Sequence, residues 1–335
     1  MIAIRWPNRD AGTRRPHYPI ATPDRRSCGF PAPAVFVFLM TIQAQTERGP
    51  RNGSQGLSFD DNSVAEGYDR VLAPLLFEPW AARLLRDVAP WKGRHVLDLA
   101  TGTGVVARML AEEVGPTGRV LGVDINETML AQARKRCAHP SPVVSFLESP
   151  AQPLAVEDES VDVVVCQQGF QFFPDKHAAA REIHRVLRDG GQVVVTTWRS
   201  ASECQIFGAI CEALDAIEQP TIADAMRVPF DFMPAAELVA PFRAAGFRNV
   251  RARRLERDLV LPGGVAQAVE VAYASPIGPR LRALPKNAQS RFRSIFERLV
   301  VVLGNDTTTM GIMAANELRA EKATRPRRAG THPSA

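Results

Sequence analysis

From His95 onward, short apolar runs alternate with longer stretches of helical periodicity. The runs are "RHVLDLA", "RVLGVD", "VVSFLE", "VDVVVCQQ" and "QVVVTTW". Nearly continuous Val and Leu is typical of strands whose sheet is covered by helices on both faces. Between them, "GVVARMLAEEV", "NETMLAQARKRC" and "DKHAAAREIHRVLR" repeat apolar residues at the helical period. The alternation predicts a Rossmann-like, doubly wound α/β fold with helices on both faces.

The same patterns extend on either side of this region. Upstream, "VAEGYDRVLAPLLFEPWAARLLRDV" is helical in period, with interruptions expected at Pro74 and Pro79. After Trp198, helices are predicted in "ASECQIFGAICEALDAI" and "PAAELVAPFRAAGF", and strands in "NVRARRLERDLVL" and "TTTMGIMAANELRA". The sheet is therefore expected to have seven strands, mostly parallel. Helical stretches at 265–273 and 288–303 predict a helical insertion, residues 262–305, that serves as a lid or specificity element.

The two ends of the chain differ from the middle. Residues 1–55 are rich in Pro and Arg and lack periodicity, so they are predicted to be disordered, as is a basic tail at 319–335. This leaves residues 56–318 as the folded domain. Arg25-Arg26 before a short apolar run is compatible with a twin-arginine export signal. The more economical hypothesis is a natural start at Met40, preceded by an upstream extension.

The charge distribution argues against nucleic acid as a partner. The chain of 335 residues carries a net charge of +5, but residues 1–51 and 319–335 together carry +9, which leaves −4 for the rest. Binding to a polyphosphate needs clustered Lys and Arg on the folded body. No apolar run approaches the roughly 18–20 residues of a membrane span. The five Cys form no C-x-x-C pair, which predicts a reduced cytoplasmic protein without a metal site.

The stretch "HVLDLATGTGVVARML" is the first that indicates chemistry: a strand reaching Asp98, a Gly-rich turn and a helix. The turn satisfies the loose G-x-G-x-x-A pattern of dinucleotide sites, and Asp124 lies about twenty residues on. However, the Asp98 carboxylate would repel a pyrophosphate, whereas it suits an ammonium or sulfonium group. The segments "DVVVCQQGFQFFPD" and "EIHRVLRDGGQVVVTTW" also have no place in a nicotinamide fingerprint.

Four segments in this order carry a family resemblance: "VLDLATGTG", "VLGVDINETMLAQAR", "VDVVVCQQGFQFFPD" and "EIHRVLRDGGQVVV". From residue 64 to 198 the chain resembles class I S-adenosylmethionine (SAM)-dependent methyltransferases, particularly the small-molecule branch that includes ubiquinone/menaquinone-type C-methyltransferases. The resemblance implies SAM as cofactor and a small, fairly apolar molecule, methylated at C, O or N, as acceptor. It leaves a homodimer open.

The resemblance also implies roles for individual residues. Gly102 and Gly104 would let the backbone approach the methionyl part of SAM. Asp98 would hold its amino group, and Asp124 would accept both ribose hydroxyls. The further implied cofactor contacts are Tyr68, Ala100 (where the family more often has Gly), Thr101, Ile125 and Met129 (both on adenine), Ala151, Gln152 and Gln167.

One position departs from the family pattern. Relatives usually carry an Asp after the third strand that accepts from the adenine amino group, and Pro150 stands there in "ESPAQPLAVEDESVD". A proline has neither a side-chain acceptor nor a backbone N–H. Adenine recognition is therefore expected to shift to Ser149, Gln152 or backbone groups.

Methyl transfer is an in-line displacement, so alignment supplies much of the barrier reduction. A base is needed only if the acceptor must lose a proton. The candidate catalytic residues are Gln168, Gln171 (where many relatives carry His) and His177. Asp175 is expected to cap a helix and His184 to pack or lie on the surface. The side chains of Phe170, Phe172 and Phe173 are candidates for an apolar acceptor pocket, with at least one of them packing between sheet and helix instead.

Three hypotheses follow. The leading one is an enzyme that methylates a small molecule, mainly by proximity. The second is a non-catalytic regulatory protein that binds SAM or S-adenosylhomocysteine (SAH), to which Pro150 and the missing His point. The third is a nucleic-acid methyltransferase, against which stand the −4 body and the absence of an N/D-P-P-Y/F motif after the fourth strand.

Overall fold

A computed structural model describes residues 62–137, 143–231, 233–304 and 308–324. The extension predicted at residues 1–55 lies outside the described residues. The predicted start of the basic tail, residue 319, is wrong, because the last strand runs through Glu321. Lys322, also assigned to the tail, is buried and donates from Nζ to the carbonyl oxygen of Leu187 at 2.7 Å.

The described residues contain one seven-stranded sheet in the order β3-β2-β1-β4-β5-β7-β6. Strand β7 is antiparallel to β5 and β6, and the other pairs are parallel. The mostly parallel, seven-stranded prediction is confirmed. The strands are β1 His95–Leu99, β2 Arg119–Asp124, β3 Val144–Glu148, β4 Val161–Gln167, β5 Leu187–Trp198, β6 Arg248–Leu261 and β7 Thr309–Glu321.

Helices cover both faces of the sheet. They are α1 Asn62–Gly67, α2 Glu78–Val88, α3 Val105–Val114, α4 Glu127–Arg136, α5 Lys176–Val186, α6 Gln205–Ala216, α7 Pro220–Arg227, α8 Ala235–Ala244, α9 Gly264–Ala274, α10 Gly278–Ala283 and α11 Lys286–Val301. A π-helical segment, Tyr68–Phe77, joins α1 to α2, and short 3-10 turns occur at Phe170–Phe172, Ala201–Glu203 and Val228–Phe230.

The continuous apolar runs of the strands serve two separate cores. Val96 packs into the cluster on one face of the sheet, the first core cluster. The next residue, Leu97, packs into the cluster on the other face, the second core cluster. Their partners on β2, Val120 and Leu121, divide in the same way. Because successive side chains of a strand point to opposite faces, a strand covered on both sides has no polar face to alternate with.

The order of the strands creates a crevice at one edge of the sheet. The chain passes from β1 to β2 on one side and later returns to β4 on the other side of β1. The connections after β1 and β4 therefore diverge, and open α/β sheets bind ligands at such a switch point, beyond the carboxyl ends of the strands. The Gly-rich turn and the "CQQGFQFF" segment both begin there.

The helix before β1 differs from the prediction at Pro74. Instead of an interruption there, the π-helical segment continues through Pro74 and into α2. A π turn already displaces the ordinary hydrogen-bond ladder, so a residue without an N–H is tolerated in it. Pro79 lies in the first turn of α2, where no intrahelical donor is required.

Three helices, α9 to α11, lie between β6 and β7, within the predicted 262–305 segment. Phe292, Phe296 and Val300 of α11 are fully buried in the same core cluster as Ile206 and Ile210 of α6. This packing makes the segment part of the domain core.

Candidate active site

The turn after β1 is tied to the end of β2. The backbone N–H of Thr101 donates to the carbonyl oxygen of Val123 at 3.0 Å, and that of Gly102 donates to Oδ2 of Asp124 at 2.8 Å. Asp124 Oδ1 accepts from the N–H of Asn126 at 3.0 Å. One carboxylate thus holds the turn and the start of α4 together.

The two glycines of the turn serve different purposes. A Cβ on Gly104, at φ +77°, would lie 3.0 Å from Cβ of Ala133 and 3.2 Å from the ring of Phe146. Gly104 therefore allows α3 to pack closely against its neighbours. A Cβ on Gly102, at φ +55°, would meet nothing within 4 Å, so this part of the turn borders free space where a ligand can approach the backbone. Ala100 adopts φ +59°, which shows that this fold accepts a methyl group at the left-handed position.

Asp98 is 1% exposed and accepts a hydrogen bond from Oγ1 of Thr101 at 2.5 Å. Burial raises the pKa of Asp98 to about 7, although the Thr101 hydroxyl acts in the opposite direction. Burial also raises the pKa of Asp124, against the backbone N–H groups that favour its charged form. Two desolvated carboxylates with no cation beside them are suited to a ligand that carries positive charge.

Asp98 and the Gly102 turn line a cavity of about 330 Å³, mouth included, which we call the polar cavity, and Asp124 lies behind the turn, hydrogen-bonded to Gly102. Gln167 donates from Nε2 to the carbonyl oxygen of Phe77 at 3.1 Å, while its buried Oε1 has no partner in the protein. The ring of Tyr68 stacks on Phe77 at 4.6 Å. The lining residues are Tyr68, Phe77, Asp98, Ala100, Thr101, Gly102, Thr103, Val105, Val106 and Gln167.

The residues of the polar cavity fit the SAM group implied by the sequence. Asp98 can accept from an ammonium group, Asp124 can accept from hydroxyls beside Gly102, and Gln167 offers an unpaired amide oxygen. Burial, followed by the nearby Asp124 charge, raises the pKa of Tyr68 well above its usual value. The Tyr68 hydroxyl therefore keeps its proton and acts as a donor.

An apolar cavity adjoins the polar one and shares Tyr68 and Phe77 with it. Its volume is about 480 Å³, mouth included. Its wall contains five aromatic side chains besides Tyr68, and the amides of Gln168 and Gln171 are its other polar side chains. The lining residues are Tyr68, Leu72, Leu76, Phe77, Gln168, Gln171, Phe172, Trp198, Phe207, Met226, Pro229, Phe230 and Pro276.

The residues expected around adenine lie outside both cavity walls. Ile125 is 70% exposed at the end of β2, whereas Met129 is buried in the first turn of α4. The Ser149 hydroxyl accepts from Ala155 N–H and donates to the Pro150 carbonyl oxygen, so it is engaged within its own loop. Gln152 has a buried Oε1 without a partner, and Ala151 packs beside it against the second core cluster.

The structure separates the three catalytic candidates. Gln168 and Gln171 line the apolar cavity. His177 lies exposed in the first turn of α5 and is absent from both cavity walls, so the structure does not bring it together with the other two candidates. The capping prediction for Asp175 is confirmed by its hydrogen bond from Ala178 N–H at 2.8 Å, and His184 packs against the ring of Phe247, as expected.

Phe170, Phe172 and Phe173 lie in two different environments, as predicted. Phe172 lines the apolar cavity. Phe170 is fully buried, with its ring 5.5 Å from that of Phe173 and 5.2 Å from that of Phe242, on the opposite side of the sheet. The prediction that at least one of the three packs between sheet and helix is confirmed.

Several wall residues were missed by the sequence reasoning. Trp198 ends β5 beside the crevice, and its position at a strand end was a usable signal. Thr103, Val105 and Val106 belong to the turn itself or to the helix that follows it, whereas the others come from distant elements that no local pattern marks as neighbours of the turn. Besides Trp198, the missed residues are Phe77, Thr103, Val105 and Val106 in the polar cavity, and Leu72, Leu76, Phe77, Phe207, Met226, Pro229, Phe230 and Pro276 in the apolar one.

Other features of the described residues bear on the predicted partners. No helix among them is long and apolar enough to cross a membrane. In the same residues no group of three or more His, Cys, Asp or Glu side chains is arranged to hold a metal ion. Cys166, Cys204 and Cys211 are buried free thiols, and burial raises the pKa of each.

Comparison with known proteins finds related methyltransferases. Residues 96–191 match a family described as "Methyltransferase domain". A demethylmenaquinone methyltransferase of Staphylococcus aureus strain JH9 is 31% identical over 232 residues, which covers 63% of this chain and 90% of the relative. The alternative of a SAM-binding protein without methyl transfer receives no support from these matches.

Two solved structures are also similar. A putative methyltransferase of Bacillus halodurans has 19% identity and a TM-score of 0.48, covering 73% of this chain and 99% of that one. Phosphoethanolamine N-methyltransferase 2 of Haemonchus contortus, in complex with S-adenosyl-L-methionine, has 19% identity and a TM-score of 0.49. The match covers 73% of this chain and only about half, 53%, of the Haemonchus protein.

A switch-point crevice with two desolvated carboxylates, a sequence match from β1 into β5, and a relative covered over 90% of its length agree with one another. The chain belongs to the class I SAM-dependent methyltransferases.

Proposed function

We propose that this protein transfers the methyl group of SAM to a small, predominantly apolar molecule bound in the apolar cavity. The observation that carries the proposal is the contact between the two cavities, which share Tyr68 and Phe77 as a common wall. A cofactor in the polar cavity and an acceptor in the apolar one would therefore lie side by side, as an in-line displacement requires.

The aromatic wall supports a planar, aromatic acceptor. Phe77, Phe172, Trp198, Phe207 and Phe230 surround the cavity, and aromatic rings stack or meet edge to face with favourable energy. The Staphylococcus relative is named for a quinone substrate, demethylmenaquinone. An aromatic ring system of this general kind is the acceptor class that we infer for the present chain.

In the proposed reaction SAM would supply an electrophilic methyl group on sulfur and would leave as SAH. Asp98 would hold the ammonium group, Asp124 the ribose hydroxyls, and the apolar wall would exclude water from the reacting atoms. No carboxylate, imidazole or amine lines the described wall of the apolar cavity, and Tyr68 keeps its proton. The residues therefore act by alignment, and a proton that the acceptor must lose is released to bulk solvent, before the acceptor enters the cavity or after the methylated product leaves it.

The helical segment between β6 and β7 is proposed to close the acceptor side. Pro276, between α9 and α10, belongs to the wall of the apolar cavity. Ala274, at the end of α9, lies 3.5–3.6 Å from the position of a Cβ on Gly67, so the segment also touches the helix that leads to Tyr68. Its three helices thus connect the acceptor cavity to the continuous helical stretch of α1 and the π-helical segment, Asn62–Gly67 and Tyr68–Phe77, which we call the covering helix. This is the arrangement that a specificity element needs.

The test uses two adjacent phenylalanines as a matched pair. Phe172→Ala removes an aromatic wall from the apolar cavity, whereas Phe173→Ala removes a ring that packs into the second core cluster. With a panel of hydroxylated bicyclic aromatics as acceptors, SAH formation should show kcat/KM reduced about tenfold or more in Phe172→Ala, the expected loss for a ring contact of this size.

SAM affinity, measured by titration calorimetry, should stay within about twofold of the parent in both variants. Equal losses of kcat/KM in the two variants would place the acceptor elsewhere. An absence of SAM binding by the parent protein would sink the proposal entirely.

A further inference from the structure

We propose that Gln168 selects the methyl-accepting substrate. Its side-chain amide would form a pair of hydrogen bonds with a donor and an acceptor group that lie side by side on a planar ring. The ligand class is a lactam, a carboxamide or a hydroxyl group next to a carbonyl. This inference rests on the proposed function, because it concerns the occupant of the apolar cavity.

The Gln168 side chain is buried, and its amide makes no hydrogen bond to the described residues. It is 6% exposed and lines the apolar cavity, and within the described part of the chain neither its Oε1 nor its Nε2 has a partner. A buried amide normally has its polar atoms satisfied, since leaving them unpaired is costly. An unpaired amide in the wall of a cavity is therefore matched to a group that a ligand brings.

The backbone fixes where this amide lies. Gln168 adopts φ +57°, in the left-handed region, and its N–H donates to the carbonyl oxygen of Thr196 at 2.9 Å. A residue other than Gly at such a φ is strained, and strain of this type persists where the surroundings over-determine the conformation. The hydrogen bond to β5 supplies that constraint at the carboxyl end of β4.

The neighbouring glutamines differ in this respect. Gln171 donates from Nε2 to the Pro229 carbonyl oxygen at 2.7 Å, and its Oε1 accepts from Trp198 N–H at 3.1 Å. It therefore links a 3-10 turn to β5 and acts as a positioning residue. Gln167 uses its Nε2 on Phe77. Of these three, Gln168 alone has both ends of its amide unpaired.

The chemistry of the amide defines its complement. A primary amide presents one N–H and one C=O on the same edge, so it pairs with a ligand edge that carries a C=O and an N–H or O–H. The rest of the wall is almost entirely apolar, which favours a flat aromatic body behind that edge. A ligand without the polar edge would leave the Gln168 amide buried and unpaired, and such sites reject analogues that lack the hydrogen-bonding group.

The experiment compares two probes that differ by one hydrogen bond. 2-Quinolinone is a flat bicyclic lactam with N–H and C=O side by side, and N-methyl-2-quinolinone lacks the donor. Naphthalene serves as a purely apolar probe of similar shape. Each is titrated by calorimetry into the full chain saturated with SAH, as parent protein, Gln168→Met and Gln168→Gly. The second variant removes the amide at a φ that glycine adopts freely.

The parent should bind 2-quinolinone at least about tenfold more tightly than the N-methyl compound. Both variants should lose that preference while their SAH affinity stays unchanged. Equal binding of the two quinolinones by the parent, or a preference that survives in Gln168→Gly, would overturn the inference and leave the proposed function intact. If none of the three probes binds the SAH-loaded parent, the apolar cavity is not an acceptor site and the proposed function itself fails.

Discussion

At the scale of single residues, the raised pKa of Asp98 links cofactor binding to pH. Asp98 and Asp124 are both desolvated, and burial is the largest cause of the raised pKa of each. The Asp98 carboxyl, with a pKa of about 7, is half protonated at neutral pH. A ligand ammonium beside Asp98 favours its ionised form, so binding and proton release are linked.

This linkage predicts a pH dependence of SAM affinity. Between pH 5.5 and 7, the dissociation constant for SAM should fall as the pH rises, by up to about tenfold per unit, because binding requires Asp98 to lose its proton. The amino group of SAM is charged throughout this range, since α-amino groups titrate near 7.7–8.0. Calorimetry in buffers of different ionisation enthalpy should detect the released proton.

Asp98→Asn serves as the control, since it keeps an acceptor for Thr101 but removes the titration. The SAM affinity of this variant should be weaker than that of the parent and independent of pH over the same range. A pH dependence like that of the parent would contradict the assignment.

The stability of the ligand-free parent protein should fall with rising pH, whereas its SAM affinity rises. The pKa of Asp98 is raised from 3.8 to about 7 on folding, so its stabilising contribution is complete below pH 3.8 and is lost as the pH rises through 7.

At the scale of elements, the covering helix is attached to the cofactor side by an ion pair between a buried carboxylate and a half-exposed arginine. Asp69, next to Tyr68 in the chain, is 3% exposed and pairs with Nε of Arg136 on α4. It also accepts from Nε2 of Gln132 at 3.1 Å. Helix α4 begins just after Asp124, so the pair links the segment that carries Tyr68 to the helix that follows the ribose site.

Removing the partner of Asp69 should weaken both the fold and the site. Arg136→Ala leaves a buried carboxylate without its cation, and we expect a loss of about 1–3 kcal/mol in the free energy of unfolding, measured with urea. SAM should also bind several-fold more weakly, because Tyr68 is no longer held over the polar cavity. The matched control is Arg134→Ala, on the same helix, whose partner Glu127 is half exposed.

That control should change stability by less than about 0.5 kcal/mol, as for an exposed pair. If the two variants lose SAM affinity equally, the ion pair does not position the covering helix. If Arg136→Ala loses stability but keeps its SAM affinity, the ion pair stabilises the fold and does not position Tyr68.

At the scale of the whole molecule, the positive charge is concentrated at the chain ends. Residues 1–51 and 319–335 carry +9 and the rest of the chain −4, and only part of the second group, through residue 324, belongs to the described structure. Within it, Arg319 already contacts Glu317, and Lys322 contacts Glu159. These cations are engaged by the protein itself, which lowers their availability to a polyphosphate.

We therefore expect weak, salt-dependent nucleic-acid binding that depends on the ends alone. Fluorescence anisotropy with a short labelled DNA duplex should show any binding by the full chain decline steeply with increasing salt. A chain of residues 52–324, verified by its SAM affinity, should show none. Affinity for the duplex that persists in this shortened chain would revive a nucleic-acid acceptor.

Much of the fold followed from local pattern. The apolar strands, the intervening helices and the left-handed turn at Gly102–Gly104 are recorded in neighbouring residues, because periodicity and backbone sterics act over a few positions. The Asp175 cap was accessible for the same reason. The cofactor class came from the resemblance of four segments to a known family, since the Gly-rich turn with Asp124 also satisfies the pattern of dinucleotide sites. The pattern did not show that the helix continues through Pro74 as a π-helical segment, because the choice between a break and a π turn depends on the residues that pack around it.

The acceptor side was decided by tertiary structure. Its wall combines the covering helix, the ends of β4 and β5, helices α6 and α7 and the loop at Pro276, which are up to about two hundred residues apart in the chain. His177 and Gln168 looked equally suitable as neighbours in one segment, but the start of α5 turns the first to solvent, whereas the end of β4 buries the second. The sequence by itself determined the α/β fold, because strand and helix patterns depend on short-range order, and its resemblance to a known family implied the cofactor. Only long-range packing decided which side chains meet the acceptor, because that wall exists only once distant elements are assembled.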